Sequence, residues 1–253
     1  MKRITALLTL LAASNVSWGS IIFDDFNTSA GHFGYTPTFS STTSGLDAVN
    51  SSSLYDTTAG DPFEGAGAMK LTLTHSATAG TSRVRWLSGG PPYDSSHGGV
   101  PSANVSFNVT GTGDGNIGLY VKTDSSGSGW NVSFNLDSGA NTGATMSWSG
   151  EQSVIADGQW HLYEWTIDST TWAAVPGIGG QASGSITTGS RTIDSIYFRD
   201  NNTVPAGAVA TIFVDFVAKS DSGSIATLVP EPSALALGLL GGVALFARHL
   251  RRR

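Results

Sequence analysis

The sequence predicts an all-β fold, an antiparallel sandwich or barrel, for the long segment between two apolar termini. The first observation is alternation: Trp130, Val132 and Phe134 are apolar and are separated by polar residues. Successive side chains of a strand face opposite sides of a sheet, so this period of two indicates a strand with one buried face. The second observation is that turn-forming runs, such as GTGDGN at 111–116 and DSSGSG at 124–129, separate such segments. The third is that no stretch between the termini keeps a helical apolar stripe for three turns, which excludes parallel α/β folds.

The same alternation predicts the remaining strands of the domain. Region 27–66 is rich in Ser, Thr and Gly, and we expect long loops with short strands there. A sandwich of about 200 residues can form a sizeable core. We therefore predict one domain over residues 20–219 and a linker over 220–228. The other predicted strands are 21–26, 69–73, 82–87, 105–109, 117–121, 163–167, 193–199 and 210–218.

The first nineteen residues have the features of a secretory signal peptide. Lys2 and Arg3 give a positive start, an apolar run follows over 4–13, and the small-x-small triplet at 17–19 predicts cleavage before Ser20. The apolar run is too short to span a bilayer whose hydrocarbon core is about 30 Å thick. We therefore predict that the protein is exported.

The central segment is acidic, and the whole chain lacks cysteine. Residues 20–228 hold seven basic and eighteen acidic residues, a difference of −11, whereas the whole chain carries −6. Such a surface repels nucleic acids and anionic membranes, so we expect no nucleic-acid partner. The absence of cysteine excludes thiol catalysis and cysteine-based metal sites, and it favours a bacterial exported protein over a secreted eukaryotic module.

The C-terminal residues combine a Pro-Glu-Pro motif, a short apolar run and a basic end, in that order. VPEPS occupies 229–233, residues 234–247 carry no charge, and five basic residues follow. With long arginine side chains reaching the interface, residues 232–250 are long enough for a single transmembrane helix whose basic end faces the cytoplasm. A GPI signal ends in apolar residues instead. A buried helix of the sandwich would leave the arginine cluster without acidic partners nearby in the sequence.

This arrangement resembles the PEP-CTERM sorting signal of Gram-negative bacteria, whose carriers also have a signal peptide. The resemblance implies that residues 229–253 are recognised by exosortase, a membrane transpeptidase that is thought to cut near the motif. It further implies a precursor anchored in the inner membrane and a final place at the cell surface or in an exopolysaccharide matrix, as in a biofilm. Single-pass anchoring without processing stays open as the alternative. The implied sorting motif is Pro230, Glu231 and Pro232, and the implied cytoplasmic basic anchor is Arg248, Arg251, Arg252 and Arg253.

Four segments of the central domain are similar to strands of carbohydrate-binding jelly rolls with a galactose-binding-like fold. IIFDDFN at 21–27 and ATIFVDFVAKS at 210–220 resemble the first and last strands, and DGQWHLYEWTID at 157–168 with IDSIYFRDNN at 193–202 resembles later strands. The DGQWH turn is also similar to one in laminin-G-like sandwiches. The resemblance implies a jelly-roll β-sandwich that binds an extracellular polysaccharide, with no glycan specified.

Tryptophan and tyrosine supply the candidate sugar-binding residues, because pyranose faces stack on aromatic rings. Trp130 and Trp165 stand in apolar registers and are predicted core residues. Trp86 and Tyr93 border a Gly- and Pro-rich loop, and Trp172 lies in a Gly-rich region. We therefore predict that Trp86, Tyr93 and Trp172 form the binding platform.

No catalytic motif is recognisable in the sequence. No G-x-S-x-G turn follows a predicted strand, and no H-E-x-x-H pair is present. Glu64, Glu151 and Glu164 leave a two-carboxylate glycosidase open. We predict a carbohydrate-binding protein that is not an enzyme. A structural matrix protein without a specific ligand, and a glycoside-active enzyme, remain the alternatives.

Asp25 in the first predicted strand and Asp215 in the last are candidate ligands of a structural Ca²⁺, in the place where similar jelly rolls hold one. Asp215 stands among apolar residues, and a buried carboxylate requires a partner or a metal. Calcium takes six to eight oxygen ligands, which two carboxylates and backbone carbonyls could supply if the two strands are neighbours. The alternative is that Asp215 caps a backbone amide or faces solvent at a sheet edge. No other cofactor is predicted.

Overall fold

The computed structural model describes residues 20–58, 60–76, 80–90, 94–97, 106–111, 113–138, 146–167, 172, 186, 188–200, 202 and 204–229. The predicted signal peptide, 1–19, lies outside the described residues. The sorting motif Pro230 to Pro232, the predicted transmembrane helix and the basic anchor also lie outside them. In the described ranges, no helix has the length and apolar character needed to cross a membrane.

The described residues form strands and two short 3₁₀ turns, Ser125–Gly127 and Ile225–Leu228. The strands, in chain order, are β1 (Ile21–Asp24), β2 (Ser52–Asp56), β3 (Ala68–Thr74), β4 (Ser82–Leu87), β5 (Gly89–Gly90), β6 (Asp94–His97), β7 (Ser106–Val109), β8 (Asn116–Thr123), β9 (Trp130–Ser138), β10 (Ser147–Trp148), β11 (Gln152–Ser153), β12 (Trp160–Thr166), β13 (Gly189–Asp200) and β14 (Val209–Ser220).

The strands pair into two six-stranded antiparallel sheets and one small ribbon of β5 and β6. The first sheet has the order β12-β8-β14-β3-β2, and β1 also pairs with β14. The second sheet has the order β10-β9-β13-β4, with β11 added on β9 and β7 on β13. The all-β antiparallel prediction is therefore confirmed, and the first and last strands of the domain are neighbours.

One hydrophobic core fills the space between the two sheets. Leu71 and Val121 contribute to it from the first sheet, and Phe134 contributes from the second. The rings of Phe134 and Trp165 meet edge to face across the core, with their centroids 5.4 Å apart. Trp130 and Trp165 are buried in this core, as their apolar registers predicted. Burial of a large apolar side chain contributes about 1.5–3 kcal/mol, so these faces account for the pairing of the sheets.

A β-bulge interrupts the last strand. Asp215 pairs with Tyr120, and the next partner along β14 is Ala218 with Gly118, so β14 has one residue more than β8. Phe216 in the bulge adopts a φ of 49°, in the left-handed region that bulky residues rarely occupy. The bulge turns Phe216 toward Tyr120 on the outer side of the first sheet, while Val214 and Val217 face the core.

The segment after β14 packs on the domain. Ile225 is buried against the outer side of the first sheet, and Leu228 and Val229 pack beside it. Glu164 of β12 accepts hydrogen bonds from Ile225 N at 2.5 Å and Ser224 Oγ at 2.9 Å. The predicted linker over 220–228 is therefore corrected, because its apolar residues bury themselves and its backbone is hydrogen-bonded to the sheet.

Candidate functional site

The predicted aromatic platform is not formed by Trp86 and Trp172. Trp86 is 0% exposed, and its indole N–H donates to Tyr35 O at 2.8 Å. Trp172 is 2% exposed, and its indole N–H donates to Thr166 O at 2.8 Å. Both rings are core residues with their polar atoms satisfied, so this prediction is wrong for them. Tyr93 lies outside the described residues.

The outer side of the second sheet carries a dense set of polar side chains. Most of them share one face because they alternate along their strands with core residues, as Arg83 and Arg85 alternate with Val84 in β4. Asp194 lies next to Ser195 at an irregularity of β13, and Glu151 lies just before β11. The strand register sets Arg83 opposite Arg199 and Arg85 opposite Tyr197. We call this surface the polar face; it comprises Arg83, Arg85, Asn131, Ser133, Asn135, Trp148, Glu151, Asp194, Ser195, Tyr197 and Arg199.

Two of the three arginines of the polar face are neutralised by acids. Arg85 donates to Asp194 through Nε at 2.9 Å and through Nη2 at 2.5 Å. Arg199 donates from Nη2 to Glu151 Oε2 at 2.5 Å. Arg83 forms no ion pair with any acid in the described part of the chain. The polar face therefore carries one uncompensated positive charge at Arg83.

Several buried polar atoms of this face lack a hydrogen-bond partner among the described residues. They are the hydroxyl of Tyr197, Oδ1 of Asn135 and Nε of Arg83, together with Nε of Arg199 and Oε1 of Glu151. The last two belong to the ion pair of Arg199 and Glu151. Nearly all buried polar groups in proteins find a partner. The atoms without a partner therefore mark a place that a water molecule or a ligand completes.

Tyr197 lies at the floor of the polar face. It is 1% exposed, and it packs with Met146 and the half-buried ring of Trp148. Burial raises the pKa of the Tyr197 hydroxyl, and the charges of Arg83 and Arg199 lower it in part. Trp148 is held in place by a hydrogen bond from its Nε1 to Ser133 Oγ at 2.8 Å. The face thus combines an aromatic ring at its surface with donors and acceptors around it.

Neutral side chains extend the hydrogen-bonding network of the polar face. Asn135 donates through Nδ2 to Ser195 Oγ at 2.9 Å, and the Ser195 hydroxyl donates to Asp194 Oδ2 at 2.7 Å. Asn131 accepts through Oδ1 from Ser153 Oγ at 2.9 Å. These bonds fix the orientation of the side chains before any ligand arrives, which lowers the entropic cost of binding.

The opposite side of the sandwich carries a different surface, on the first sheet. Lys122 lies 5.5 Å from the ring centre of Trp160 and 4.7 Å from that of Phe213. Asp61 neutralises Lys122 at 3.0 Å. A cavity beside these residues has a volume of about 170 Å³, with Asp124 among its lining residues. Ligand pockets measure about 300–1,000 Å³, so this cavity is small for a sugar, and its cation already has a partner.

A serine, a histidine and an aspartate meet inside the domain, which the sequence did not indicate. Ser82 Oγ and His75 Nδ1 are 2.8 Å apart, and His75 Nε2 lies 3.7 Å from Asp200 Oδ2. A nucleophile must reach its substrate, but Ser82 is 0% exposed and its hydroxyl donates to Gly45 O at 3.0 Å. Burial lowers the pKa of His75, and the charge of Asp200 opposes that shift. The group is therefore a buried structural contact.

The two predicted calcium ligands are not arranged around a common site. Asp25 is exposed and accepts a hydrogen bond from Asn27 N at 3.0 Å. Asp215 is buried and accepts from Phe63 N at 2.9 Å, Glu64 N at 3.3 Å and Phe216 N at 2.7 Å. In the described ranges, no group of three or more His, Asp or Glu side chains could hold a metal ion. The alternative prediction, that backbone amides satisfy Asp215, is confirmed.

The fold places the chain in the class of antiparallel β-sandwiches. No family model matches its sequence, and no curated protein matches it either. Several solved structures are similar in fold, and carbohydrate-binding modules are prominent among them. One structure concerns the carbohydrate-binding modules of the beta-sandwich superfamily; it is 14% identical, with a TM-score of 0.39. That match covers 73% of this chain, which spans only 57% of the other.

Two further structures cover most of both chains. A family 11 carbohydrate-binding module from Clostridium thermocellum, in complex with a β-1,3-1,4-mixed-linked tetrasaccharide, is 15% identical with a TM-score of 0.44, covering 81% of this chain and 98% of that one. An endo-β-1,4-glucuronan lyase from the fungus Trichoderma reesei is 11% identical with a TM-score of 0.37, covering 79% and 94%. With TM-scores below 0.5, these likenesses assign no ligand, site or activity to this chain.

Proposed function

We propose that the β-sandwich is a non-catalytic module that binds a polysaccharide on its polar face. The observations that carry the proposal are the half-buried ring of Trp148 and the half-buried Arg83 on one face. Beneath them lie buried polar atoms of Tyr197 and Asn135 that have no partner among the described residues. Sugars present hydroxyl groups that both donate and accept, and their apolar ring faces stack on aromatic side chains. A polysaccharide therefore supplies both kinds of contact that this face lacks.

The proposal also includes the localisation of the module in the cell. The PEP-CTERM-like tail supports sorting by exosortase, and the signal-peptide pattern supports export. In this proposal the inner membrane holds the precursor through its C-terminal helix, and the module then acts at the cell surface or in the extracellular matrix. Binding a matrix polysaccharide there would connect the cell envelope to the matrix without any catalytic step.

A glycan array of bacterial, plant and synthetic polysaccharides tests the binding proposal. We expect the purified protein to bind a subset of glycans, and Trp148→Ala to weaken that binding by up to about tenfold, since an aromatic stacking contact is worth about 0.5–1.5 kcal/mol. Trp160→Ala is the matched control, because it removes an indole from the opposite side of the sandwich. Absence of binding to any glycan, or equal loss in both folded variants, would contradict the proposal.

The sorting proposal predicts that the wild-type protein and a variant of the sorting motif differ in intact mass. Changing Pro230 and Pro232 to alanine should leave an uncut species in the inner membrane of a host that has exosortase, while the wild-type chain loses its tail. Intact-mass spectrometry of both proteins from that host measures the difference. Identical masses for the two proteins would show that the motif is not the recognition element.

A further inference from the structure

We infer that Arg83 forms a subsite for a carboxylate on the polar face, so that the polysaccharide bound there contains uronic acid units. The inference rests on the proposed function, because it names the ligand class of the same face. It separates this module from one that binds only neutral glycans, and it assigns the charge recognition to one residue.

The first support is charge. Arg85 and Arg199 each have a carboxylate at 2.5 Å, whereas Arg83 has no acid within ion-pair distance in the described ranges. Arg83 is half-buried, so its charge is only partly solvated. A partly desolvated cation gains most from an anionic partner. A sugar hydroxyl can accept a hydrogen bond from it but brings no compensating charge.

The second support is the chemistry of the unpartnered atoms. Nε of Arg83 is buried and has no partner among the described residues. A guanidinium only donates hydrogen bonds, and its planar fork matches the two oxygens of a carboxylate. The Tyr197 hydroxyl, which also has no partner among the described residues, can donate as well. A carboxylate at this face would satisfy the Arg83 donors that a water molecule otherwise completes.

The third support is placement. Arg83 lies opposite Arg199 in the register of β4 and β13, and Tyr197 lies two positions from Arg199 on the same face. Tyr197 lies opposite Arg85 in the same register, so Arg83, Arg199 and Tyr197 occupy adjacent positions of one face. Oδ1 of Asn135, an acceptor without a partner in the described residues, lies on the same face and suits the hydroxyl of a sugar ring. Donors for a carboxylate thus stand on the same face as an acceptor for a hydroxyl.

The overall charge of the domain opposes non-specific binding of an acidic polymer. Residues 20–228 hold seven basic and eighteen acidic residues, so long-range forces repel polyanions. At physiological salt these forces fall off within about 8 Å, and a local subsite can act inside that distance. Binding of an acidic polysaccharide must therefore come from specific contacts, which makes the inference testable against a neutral form of the same polymer.

The experiment compares polygalacturonate and alginate with their carboxyl-reduced forms, in which each carboxylate has become an alcohol. Affinity is measured for the purified full chain in detergent at 0.15 M salt. At least one intact polymer should bind about tenfold more tightly than its reduced form, the gain typical of one charged hydrogen-bonded contact. Arg83→Gln should abolish this preference. Lys70→Gln, which removes the same charge from the opposite side of the sandwich, should keep it.

The outcomes separate the inference from the proposed function. Equal binding of intact and reduced polymers, or binding of neutral glycans alone on the array, would overturn the carboxylate subsite and leave carbohydrate binding standing. Failure to bind any polymer or any arrayed glycan would overturn both. Arg83→Lys keeps the charge without the planar fork, and retention of part of the preference in this variant would support the subsite even if Arg83→Gln folds poorly.

Discussion

Arg83 and Arg85 stand two positions apart on one strand and face the same side of the sandwich, yet their surroundings differ. Asp194, which neutralises Arg85, lies 109 positions further along the chain. No local pattern connects the two, so the sequence could not show which arginine stays without an acid. The strand over 82–87 was predictable, but the electrostatic character of its side chains depends on strand pairing.

The sequence contained a correct indication that Trp86 is buried, but its position next to a loop was given more weight. Trp86 alternates with Arg85 and stands in the same register as Val84, which places it on the buried face of β4. Its nearness to a glycine-rich loop suggested exposure instead. Trp148 went unnoticed because its strand, β10, has only two residues, too few for alternation to reveal a face.

At the residue scale, we expect the stability of the fold to depend on pH through Asp215. Burial raises the pKa of Asp215 to about 7, its three amide hydrogen bonds limit the rise, and the charge of Glu64 adds to it. The pKa of this carboxyl group is therefore higher in the folded state than in the unfolded state, where it is near 3.8. Such a group contributes its full stabilisation of the fold when the pH is below the unfolded-state pKa. That contribution is lost as the pH rises through about 7. We expect the free energy of unfolding to fall by about 2 kcal/mol between pH 5 and pH 8 from this group.

Urea unfolding of the wild-type protein and Asp215→Asn at a series of pH values measures this effect. The variant should show a flatter pH dependence between pH 5 and pH 8, whatever its absolute stability. Asp47→Asn is the control, because the carboxylate of Asp47 accepts hydrogen bonds from Asn50 and Val49 that lower its pKa. Parallel curves for the wild type and Asp215→Asn would contradict the raised pKa.

At the scale of elements, the short turn Ile225–Leu228 changes how the end of the domain is understood. Its sequence is too short for a periodic signal, and its neighbours Ser222, Gly223 and Ser224 are typical of a linker. The structure ties it to β12 through Glu164, 61 positions earlier than Ile225. The domain therefore includes residues up to Val229, immediately before the predicted sorting motif.

Glu164→Gln tests this attachment. The variant keeps one acceptor but loses the charge and one hydrogen bond, so we expect a loss of about 1 kcal/mol in the free energy of unfolding. The amide of Ile225 should exchange its hydrogen with solvent several times faster. The amide of Ser126, which donates to Asp124 in the other 3₁₀ turn, is the internal control and should not change. Unchanged exchange at Ile225 would show that Glu164 does not hold the turn.

At the scale of the whole molecule, alternation of apolar residues predicted the longer strands, because burial acts on every second residue of a half-exposed strand. It did not predict the two-residue strands β10 and β11. Segments such as 130–136 and 117–121 fall inside β9 and β8. The candidate site was not predictable in the same way. It combines side chains of separate strands on the outer side of the sheet, where no periodic constraint marks one polar residue as different from another.

The position of the binding face is the central claim, and nuclear magnetic resonance of the tryptophan side chains tests it most directly. In protein labelled with ¹⁵N at the indoles, each N–H gives one signal, and a glycan identified on the array is then added stepwise. We predict that the Trp148 signal shifts in proportion to bound ligand, because its ring lies on the polar face, while the Trp160 signal on the opposite side stays in place. A shift of Trp160 without a shift of Trp148 would contradict the assignment of the binding face.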